Sequence, residues 1–202
     1  MKHIKPYKIF ESTSPNFPTT KEGVIEVCEK YEIENYIIND DLSIDVDGDV
    51  ELDSKNLKYL PLKFNYVSGY FTCARNKLKT LKGSPQTVSG SFYCNNNKLK
   101  SLEGCPQTVD GNFICIDNKL TDLEHFPEVN GIILLIGGNP VNLLVYTFIN
   151  KADSFMIEDF IDYEIVRNRD TVMLDRLKTF IEGFDLEMPN LEEIKKHYKI
   201  IE

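Results

Sequence analysis

Residues 88–108 read VSGSFYCNNNKLKSLEGCPQT, and nearly the same series of residues lies directly before and directly after them. Aligned on the glycine, the neighbouring copies are VSGYFTCARNKLKTLKGSPQT (67–87) and VDGNFICIDNKLTDLEHFPE (109–128). Looser copies stand at the two ends, VDGDVELDSKNLKYLPLKFNY (46–66) and VNGIILLIGGNP (129–140). One asparagine recurs every 21 residues, as Asn76, Asn97, Asn118 and Asn139. A period of this length is typical of a solenoid, whose terminal repeats are usually atypical.

Each copy is expected to form one coil, because its letters fit a strand followed by a sharp turn. Strand side chains alternate, so the Phe and the Cys of F-x-C both point inward and form columns across the coils. The recurring asparagine follows at the turn, where its buried amide can bond backbone groups of its own and the next coil. Its replacement by Ala is predicted to cost about 1–3 kcal/mol. The two leucines of L-x-x-L complete the core, and the prolines shape the return.

The pattern F-x-C-x-x-N-K-L-x-x-L resembles the leucine-rich-repeat consensus, L-x-L-x-x-N-x-L, over residues 46–140. The x-G-x-P-Q that follows, and Leu60-Pro61-Leu62, are similar to the short bacterial repeats of secreted effectors. Similar repeats also occur in proteins encoded by tailed bacteriophages and giant viruses. The resemblance implies a short solenoid of parallel strands. The catalytic ligase domain of the effectors has no counterpart here, since no block of suitable size remains.

The flanks predict caps for the solenoid. Residues 1–20 are proline-containing and indicate an extended arm, and Thr19 with Glu22 forms a possible capping box for a helix that ends near Tyr31. A strand follows at 36–39. We therefore predict an α+β chain with three parts: an N-terminal helix and strand cap (1–45), the solenoid (46–140) and a C-terminal α-helical domain (141–202).

The C-terminal part changes from the 21-residue period to a helical period. Helices are predicted at about 141–150, 154–166, 171–183 and 190–200. Asn190 and Glu193 form a capping box for the last of them, and Gly183 can end the third. From residue 151 onward there are 13 acidic and 8 basic residues, which disfavours a membrane-binding face.

Composition narrows the classes of partner. The formal net charge of −9 disfavours nucleic acid, whose phosphates require a surplus of Lys and Arg. The five cysteines are an odd number, which indicates reduced thiols and a cytoplasmic location, that of the host cell if a phage encodes the chain. No signal peptide or membrane span is expected. The cysteine column lacks zinc-site spacing and is expected to be core, so no metal or cofactor is predicted.

The acidic stretch DDLSIDVDGDVELD (40–53) invites comparison with a calcium-binding loop. An EF-hand loop needs glycine at its sixth position and Glu at its twelfth, whereas Gly48 stands at the fourth. Apolar and acidic residues alternate here instead, which favours a strand with one wet, acidic face.

Outward strand positions form columns across the coils, and solenoids commonly bind partners on this face. The predicted partner-binding residues are Tyr70, Thr72, Arg75, Ser91, Tyr93, Asn95, Asn112, Ile114 and Ile116. Ile133 and Leu135 are predicted to extend the outward columns at the C-terminal end. The four aliphatic residues Ile114, Ile116, Ile133 and Leu135 either contact a partner or are covered by the C-terminal helices of the chain itself.

Lysines also recur in rows, with Lys77, Lys98 and Lys119 at one repeat position and Lys58, Lys79 and Lys100 at another. From 67 to 108 there are six basic residues and one acidic residue. Such a strip could orient a charged partner or a phosphate-bearing ligand. The alternative is a solvated edge that keeps the solenoid soluble.

No catalytic constellation is apparent. His3, His125 and His197 are scattered, and no nucleophile, phosphate-loop or zinc-protease motif occurs. The leading prediction is a non-enzymatic module that binds a protein through its strand face, for a phage protein a host factor. The alternatives are a small-anion or nucleotide binder and an enzyme of unrecognised type. The sequence does not identify the partner or the oligomeric state.

Overall fold

A computed structural model of the chain describes residues 15–135, 137–141, 144, 159–168 and 170–202. The repeats form a parallel β-solenoid of about four turns, which confirms the predicted fold class. Each full coil gives one short strand to each of two sheets, whereas the sequence predicted only the strand at F-x-C. The second strand lies at the Thr-Val pair that precedes the repeat glycine.

The first sheet has six strands. They are β1 (Tyr36–Ile38), β2 (Ser43–Val46), β4 (Lys63–Val67), β6 (Thr87–Val88), β8 (Thr108–Val109) and β10 (Glu128–Val129). Neighbours pair in that order, and every pairing is parallel except β1 with β2. The antiparallel strand β1 therefore covers one end of the sheet.

The second sheet has five strands, all parallel. They are β3 (Val50–Glu51), β5 (Phe71–Thr72), β7 (Phe92–Tyr93), β9 (Phe113–Ile114) and β11 (Ile133–Leu134). Phe71, Phe92 and Phe113 are paired in register from coil to coil. The one-repeat register brings equivalent side chains together, as the sequence predicts.

The space between the sheets is filled by columns of identical residues. The rings of Phe71, Phe92 and Phe113 are stacked nearly parallel, with centroids 5.4 and 5.9 Å apart. The cysteines Cys73, Cys94 and Cys115 and the two leucine columns are fully or almost fully buried. The predicted interior is therefore confirmed.

The asparagine ladder is also confirmed. Asn97 is 8% exposed; its Oδ1 accepts from the Leu78 N–H at 3.0 Å, and its Nδ2 donates to the carbonyls of Cys73 and Cys94 at 3.0 and 3.1 Å. Asn76 and Asn118 repeat this pattern one coil to either side. Each amide thus joins two coils at the turn, where strand pairing cannot satisfy the backbone.

Glycine at the repeat start lets adjacent coils approach each other. A Cβ on Gly90 would lie 2.6 Å from the carbonyl carbon of Gly69, and one on Gly111 would lie 2.7 Å from that of Gly90. No side chain fits between these backbones. The glycine spacing of the repeat therefore follows from coil contact.

The N-terminal cap contains helix α1 (Lys21–Tyr31). Its N-cap is Thr20, whose side chain accepts from the Gly23 N–H at 3.1 Å, so the capping box predicted one residue earlier at Thr19 is wrong. The predicted helix end at Tyr31 is confirmed, and the strand predicted at 36–39 is present at Tyr36–Ile38. Val24 and Cys28 of α1 are buried in the main core.

The C-terminal part contains a sheet that the sequence did not predict. Its elements are β12 (Val166–Arg167), β13 (Thr171–Met173), α2 (Leu174–Gly183), α3 (Leu191–Ile194) and β14 (Lys199–Ile201). The strand β13 pairs antiparallel with β12 and parallel with β14. Residues 145–158 lie outside the described part, so most of the helix predicted at 141–150 and the start of the one at 154–166 are untested.

Three of the predicted helices therefore need correction. In the helix predicted at 154–166, residues 159–162 are helical, but the chain has entered β12 by Val166. The helix predicted at 171–183 begins only at Leu174, after a strand. The helix predicted at 190–200 is a single turn followed by β14. Tyr198 Oη donates to the Thr121 carbonyl at 2.7 Å and ties the last segment to the solenoid. No helix within the described ranges is long and apolar enough to cross a membrane.

Candidate binding face on the five-stranded sheet

The outward face of the five-stranded sheet is formed by the residues between its buried Phe and Cys columns. Neighbouring strands of a sheet lie about 4.8 Å apart, so equivalent side chains form continuous columns. Eight of the nine predicted binding residues are half-buried on this face or its border: Tyr70, Thr72, Ser91, Tyr93, Asn95, Asn112, Ile114 and Ile116. Arg75, the ninth, is exposed. Whether they contact a partner stays a prediction.

Two tyrosines dominate the middle of the face. The rings of Tyr70 and Tyr93 meet edge to face, with centroids 6.3 Å apart. The Tyr70 hydroxyl donates to Glu51, and this hydrogen bond is the main reason why the pKa of Tyr70 is raised to about 12. Asp49 accepts from the Tyr70 backbone N–H at 2.8 Å. The acidic end of the face thereby holds one tyrosine in a defined orientation.

The border between the face and the asparagine ladder is polar. Arg75 forms an ion pair with Asp53 at 2.6 Å and donates from Nε to Ser54 Oγ at 3.1 Å. One coil on, Asn96 donates from Nδ2 to Asp117 Oδ2 at 3.0 Å. Arg75, Asn96 and Asp117 all have φ near +50°, which marks the sharp turn of each coil.

The apolar end of the face differs from the prediction. In the pairing of β11 with β9, Ile133 stands opposite Phe113, and Ile133 and Leu135 are buried at 9% and 0% exposure. The outward residues are instead Ile132 and Leu134, which are 63% and 38% exposed. The prediction that Ile133 and Leu135 point outward is therefore wrong.

The physical reason is the place of one extra residue in the last coil, where the ladder asparagine follows Leu135 by four positions, whereas Asn118 follows the equivalent Cys115 by three. Asn139 keeps its position in the ladder, because its Oδ1 accepts from the Leu120 N–H at 3.0 Å. The last coil accommodates the extra residue at its turn, where Gly137 and Gly138 both have positive φ and Asp117 N still bonds the Gly137 carbonyl. Residues 132–135 are four consecutive aliphatics, so alternation could not indicate which of them face outward.

The acidic stretch near the first coil satisfies the chain's own donors. Asp47 accepts from Ser68 Oγ at 2.9 Å, and Asp49 binds the Tyr70 N–H. Across the described ranges, no group of three or more His, Cys, Asp and Glu side chains is placed to hold a metal ion. The five cysteines are free thiols, and burial raises the pKa of Cys94 well above its usual range.

A cavity lies between the fourth coil and the C-terminal part. Its volume is about 540 Å³, and its charged lining among the described residues consists of the acidic side chains Asp122, Glu124, Asp162 and Glu164 and the cation Arg167. This lining is a poor match to a nucleotide-like anion. The lysine rows do not line it.

Comparison with family models, curated proteins and solved structures found no match. The structure alone therefore supports the coarser part of the resemblance, a parallel solenoid with a spacing of about 21 residues.

Proposed function

We propose that this chain is a non-enzymatic interaction module that binds a protein partner on the outward face of its five-stranded sheet. The observation that carries the proposal is the combination on one face of two adjacent tyrosines with two exposed aliphatics, Ile132 and Leu134. Tyrosine is among the residues that contribute most to protein interfaces, and contiguous exposed apolar side chains often mark them.

The scaffold under the face favours tight binding. Below the outward residues lie stacked Phe rings and the hydrogen-bonded asparagine ladder, and Tyr70 is held by Glu51. A surface that is ordered before binding loses less conformational entropy when the partner arrives. The change from acidic residues at one end to aliphatic residues at the other would set the direction in which a partner docks.

The class of partner is proposed from the resemblance. The repeats resemble short leucine-rich repeats found in proteins of tailed bacteriophages, so a host protein in the bacterial cytoplasm is the partner we expect. Inhibition of that host factor is the corresponding biological role.

The test begins with capture of partners from bacterial lysate on the purified chain, followed by identification and purification of the captured protein. Its affinity is then measured by calorimetry for the unchanged chain and for two variants. Tyr93→Ala removes the central ring of the face and is expected to weaken binding at least tenfold, as about 1.4 kcal/mol or more would.

Tyr66→Ala is the matched control. Tyr66 lies on β4 of the opposite sheet, is 37% exposed and, like Tyr70, has a hydroxyl partner, Ser89 Oγ at 3.0 Å. We expect the Tyr66→Ala variant to bind the captured protein with an affinity within twofold of that of the unchanged chain. A captured protein that is lost with Tyr66→Ala and retained with Tyr93→Ala would place the interface on the six-stranded sheet and contradict the proposal.

A further inference from the structure

Five lysines form a ridge on the solenoid just beyond the asparagine ladder. The lysine ridge consists of Lys77, Lys98 and Lys119 in one row and Lys79 and Lys100 in a second, and all five are exposed. The leucines between the rows, Leu78, Leu99 and Leu120, are fully buried. Because side chains alternate along extended backbone, the lysines adjacent to each buried leucine project outward.

The ridge is compact. Lys98 N donates to the Leu78 carbonyl and Lys119 N to the Leu99 carbonyl, both at 2.8 Å, so successive members of the row lie on adjacent coils. With about 4.8 Å per coil, the three-lysine row is about 10 Å long. The second row lies at most about 7 Å away, the span of two extended residues. In the first row, Asn56 and Pro140 occupy the next positions beyond the lysines. In the second row, Thr121 follows Lys100, and Lys58, which precedes Lys79, is already engaged in another interaction and is not counted in the ridge.

The lysines of the ridge have no acidic partners in the part of the chain that the structure describes: none forms an ion pair there. Some cations elsewhere on the surface are paired, as Lys195 with Glu192 and Lys196 with Glu193 at 2.6 Å, but other exposed lysines, such as Lys55 and Lys178, form no ion pair among the described residues either. A shortage of acids is not the reason, since the chain has 32 acidic and 23 basic residues. What distinguishes the ridge is that duplication of the repeat places five such lysines side by side on adjacent coils.

Five like charges on so small an area create a locally positive potential on an otherwise acidic protein. We propose that the lysine ridge binds a short chain of condensed phosphates, either free polyphosphate or the polyphosphate tail of a nucleotide. Lysine binds phosphate as a mobile point charge with three donors, and a linked phosphate chain offers several charges within the length of the ridge. This site is separate from the strand face and does not depend on the proposed function.

The geometry disfavours a long polyanion. Duplex DNA carries one negative charge per about 1.7 Å of axis and would extend past the ends of the ridge. Beyond them it would meet a protein with a net charge of −9, whose carboxylates repel it. A ligand of about three phosphates places its charge where the lysines are and no further.

The test is calorimetric titration of the full chain with sodium tripolyphosphate at low salt, with orthophosphate, ATP and hexaglutamate as comparison ligands. We expect tripolyphosphate to bind at least tenfold more tightly than orthophosphate, and the affinity to fall as salt rises, because these exposed charges are screened over about 8 Å at physiological ionic strength. If ATP binds as tightly as tripolyphosphate, the polyphosphate tail of a nucleotide is a sufficient ligand. If tripolyphosphate binds and ATP does not, the ligand is free polyphosphate. Both outcomes support the site.

Lys98→Glu tests the location, because Lys98 is the middle residue of the longer row. It is expected to weaken tripolyphosphate binding at least tenfold, whereas Lys178→Glu, the same charge change on an exposed position of α2, should change it less than twofold. Thermal unfolding of both variants checks that they are folded. Absence of tripolyphosphate binding, equal loss in both variants, or equally tight hexaglutamate binding would overturn the proposal.

Discussion

Replacement of Asn97 by Ala is the sharpest test of the fold, because this side chain holds two coils together at their turns. In the native structure its amide contacts the backbone of Leu78 and Cys73 in the preceding coil and Cys94 in its own. The alanine variant removes these hydrogen bonds without altering any strand. The adjacent coils keep their own asparagines, so the effect is local.

The magnitude follows from which groups lose their last partner. The carbonyls of Cys73 and Cys94 keep a second donor, since Asn76 and Asn118 each bind one of them at 3.0 Å. The Leu78 N–H is buried with Asn97 Oδ1 as its acceptor and is left unsatisfied. One orphaned N–H costs about 1–3 kcal/mol, and the lost donor bonds add about 1 kcal/mol more. We expect the free energy of unfolding to fall by about 2–4 kcal/mol.

The assay is urea unfolding followed by circular dichroism, with Asn95→Ala as the control. Asn95 is half-buried, and among the described residues its side-chain amide bonds only the Asn96 side chain, at 2.8 Å, so its loss should cost below about 0.5 kcal/mol. With a urea slope of about 3 kcal/mol/M, Asn97→Ala should lower the midpoint by about 1 M. Equal midpoints for the two variants would refute the idea that the ladder supports the turns.

Asn97→Asp adds a test by pH. The introduced carboxylate would face the carbonyl oxygens of Cys73 and Cys94, so burial and repulsion raise its folded-state pKa above the unfolded value of about 3.9. A carboxyl with a raised folded pKa destabilises the protein as pH rises through that range. Relative to the unchanged chain, this variant should therefore be less stable at pH 7 than at pH 4. A difference that does not depend on pH would contradict the buried placement.

Three further predictions follow from single contacts. Phe92→Ala removes the middle ring of the phenylalanine stack and should lower the free energy of unfolding by about 3–5 kcal/mol in a urea titration. Ser84→Ala should be neutral or stabilising by up to about 1 kcal/mol in the same assay, because Ser84 is 3% exposed and its hydroxyl has no partner among the described residues; a loss above 1 kcal/mol would reveal a bond that this side chain makes. Glu51→Ala should return the pKa of Tyr70 from about 12 toward 10, measured by NMR on labelled tyrosine, and an unchanged pKa would exclude the hydrogen bond as its cause.

The repeat period made most of the fold predictable from the sequence. A 21-residue recurrence with Phe, Cys, Asn and Leu at constant positions allows one arrangement in which all copies are equivalent, with each residue type stacked on itself. The buried Asn97 and the stacked Phe92 were predictable for that reason. The same reasoning placed Tyr70 and Tyr93 on the outward face, because alternation within F-x-C determines which side chains face away from the core.

Where the pattern lost its alternation, sequence reasoning failed. Four aliphatics at 132–135 fit either face equally well, and strand pairing with Phe113 decided that Ile132 and Leu134 point outward. The inserted residue is accommodated at the glycine turn rather than in the strand. Only the position of the neighbouring coil could determine this.

The C-terminal part shows the same division between local pattern and tertiary contact. Apolar residues at helical spacing correctly predicted the body and the end of α2, though not its start, because a helix satisfies its own backbone along the chain. The strands beside it depend on partners distant in sequence: Val172 pairs with Ile200, 28 positions along the chain. Short strands have no stable conformation alone, so their presence is decided by pairing. The sequence by itself thus determined the repeating coil, its interior and its outward tyrosines, while tertiary contact decided the orientation of the last coil and the sheet that follows it.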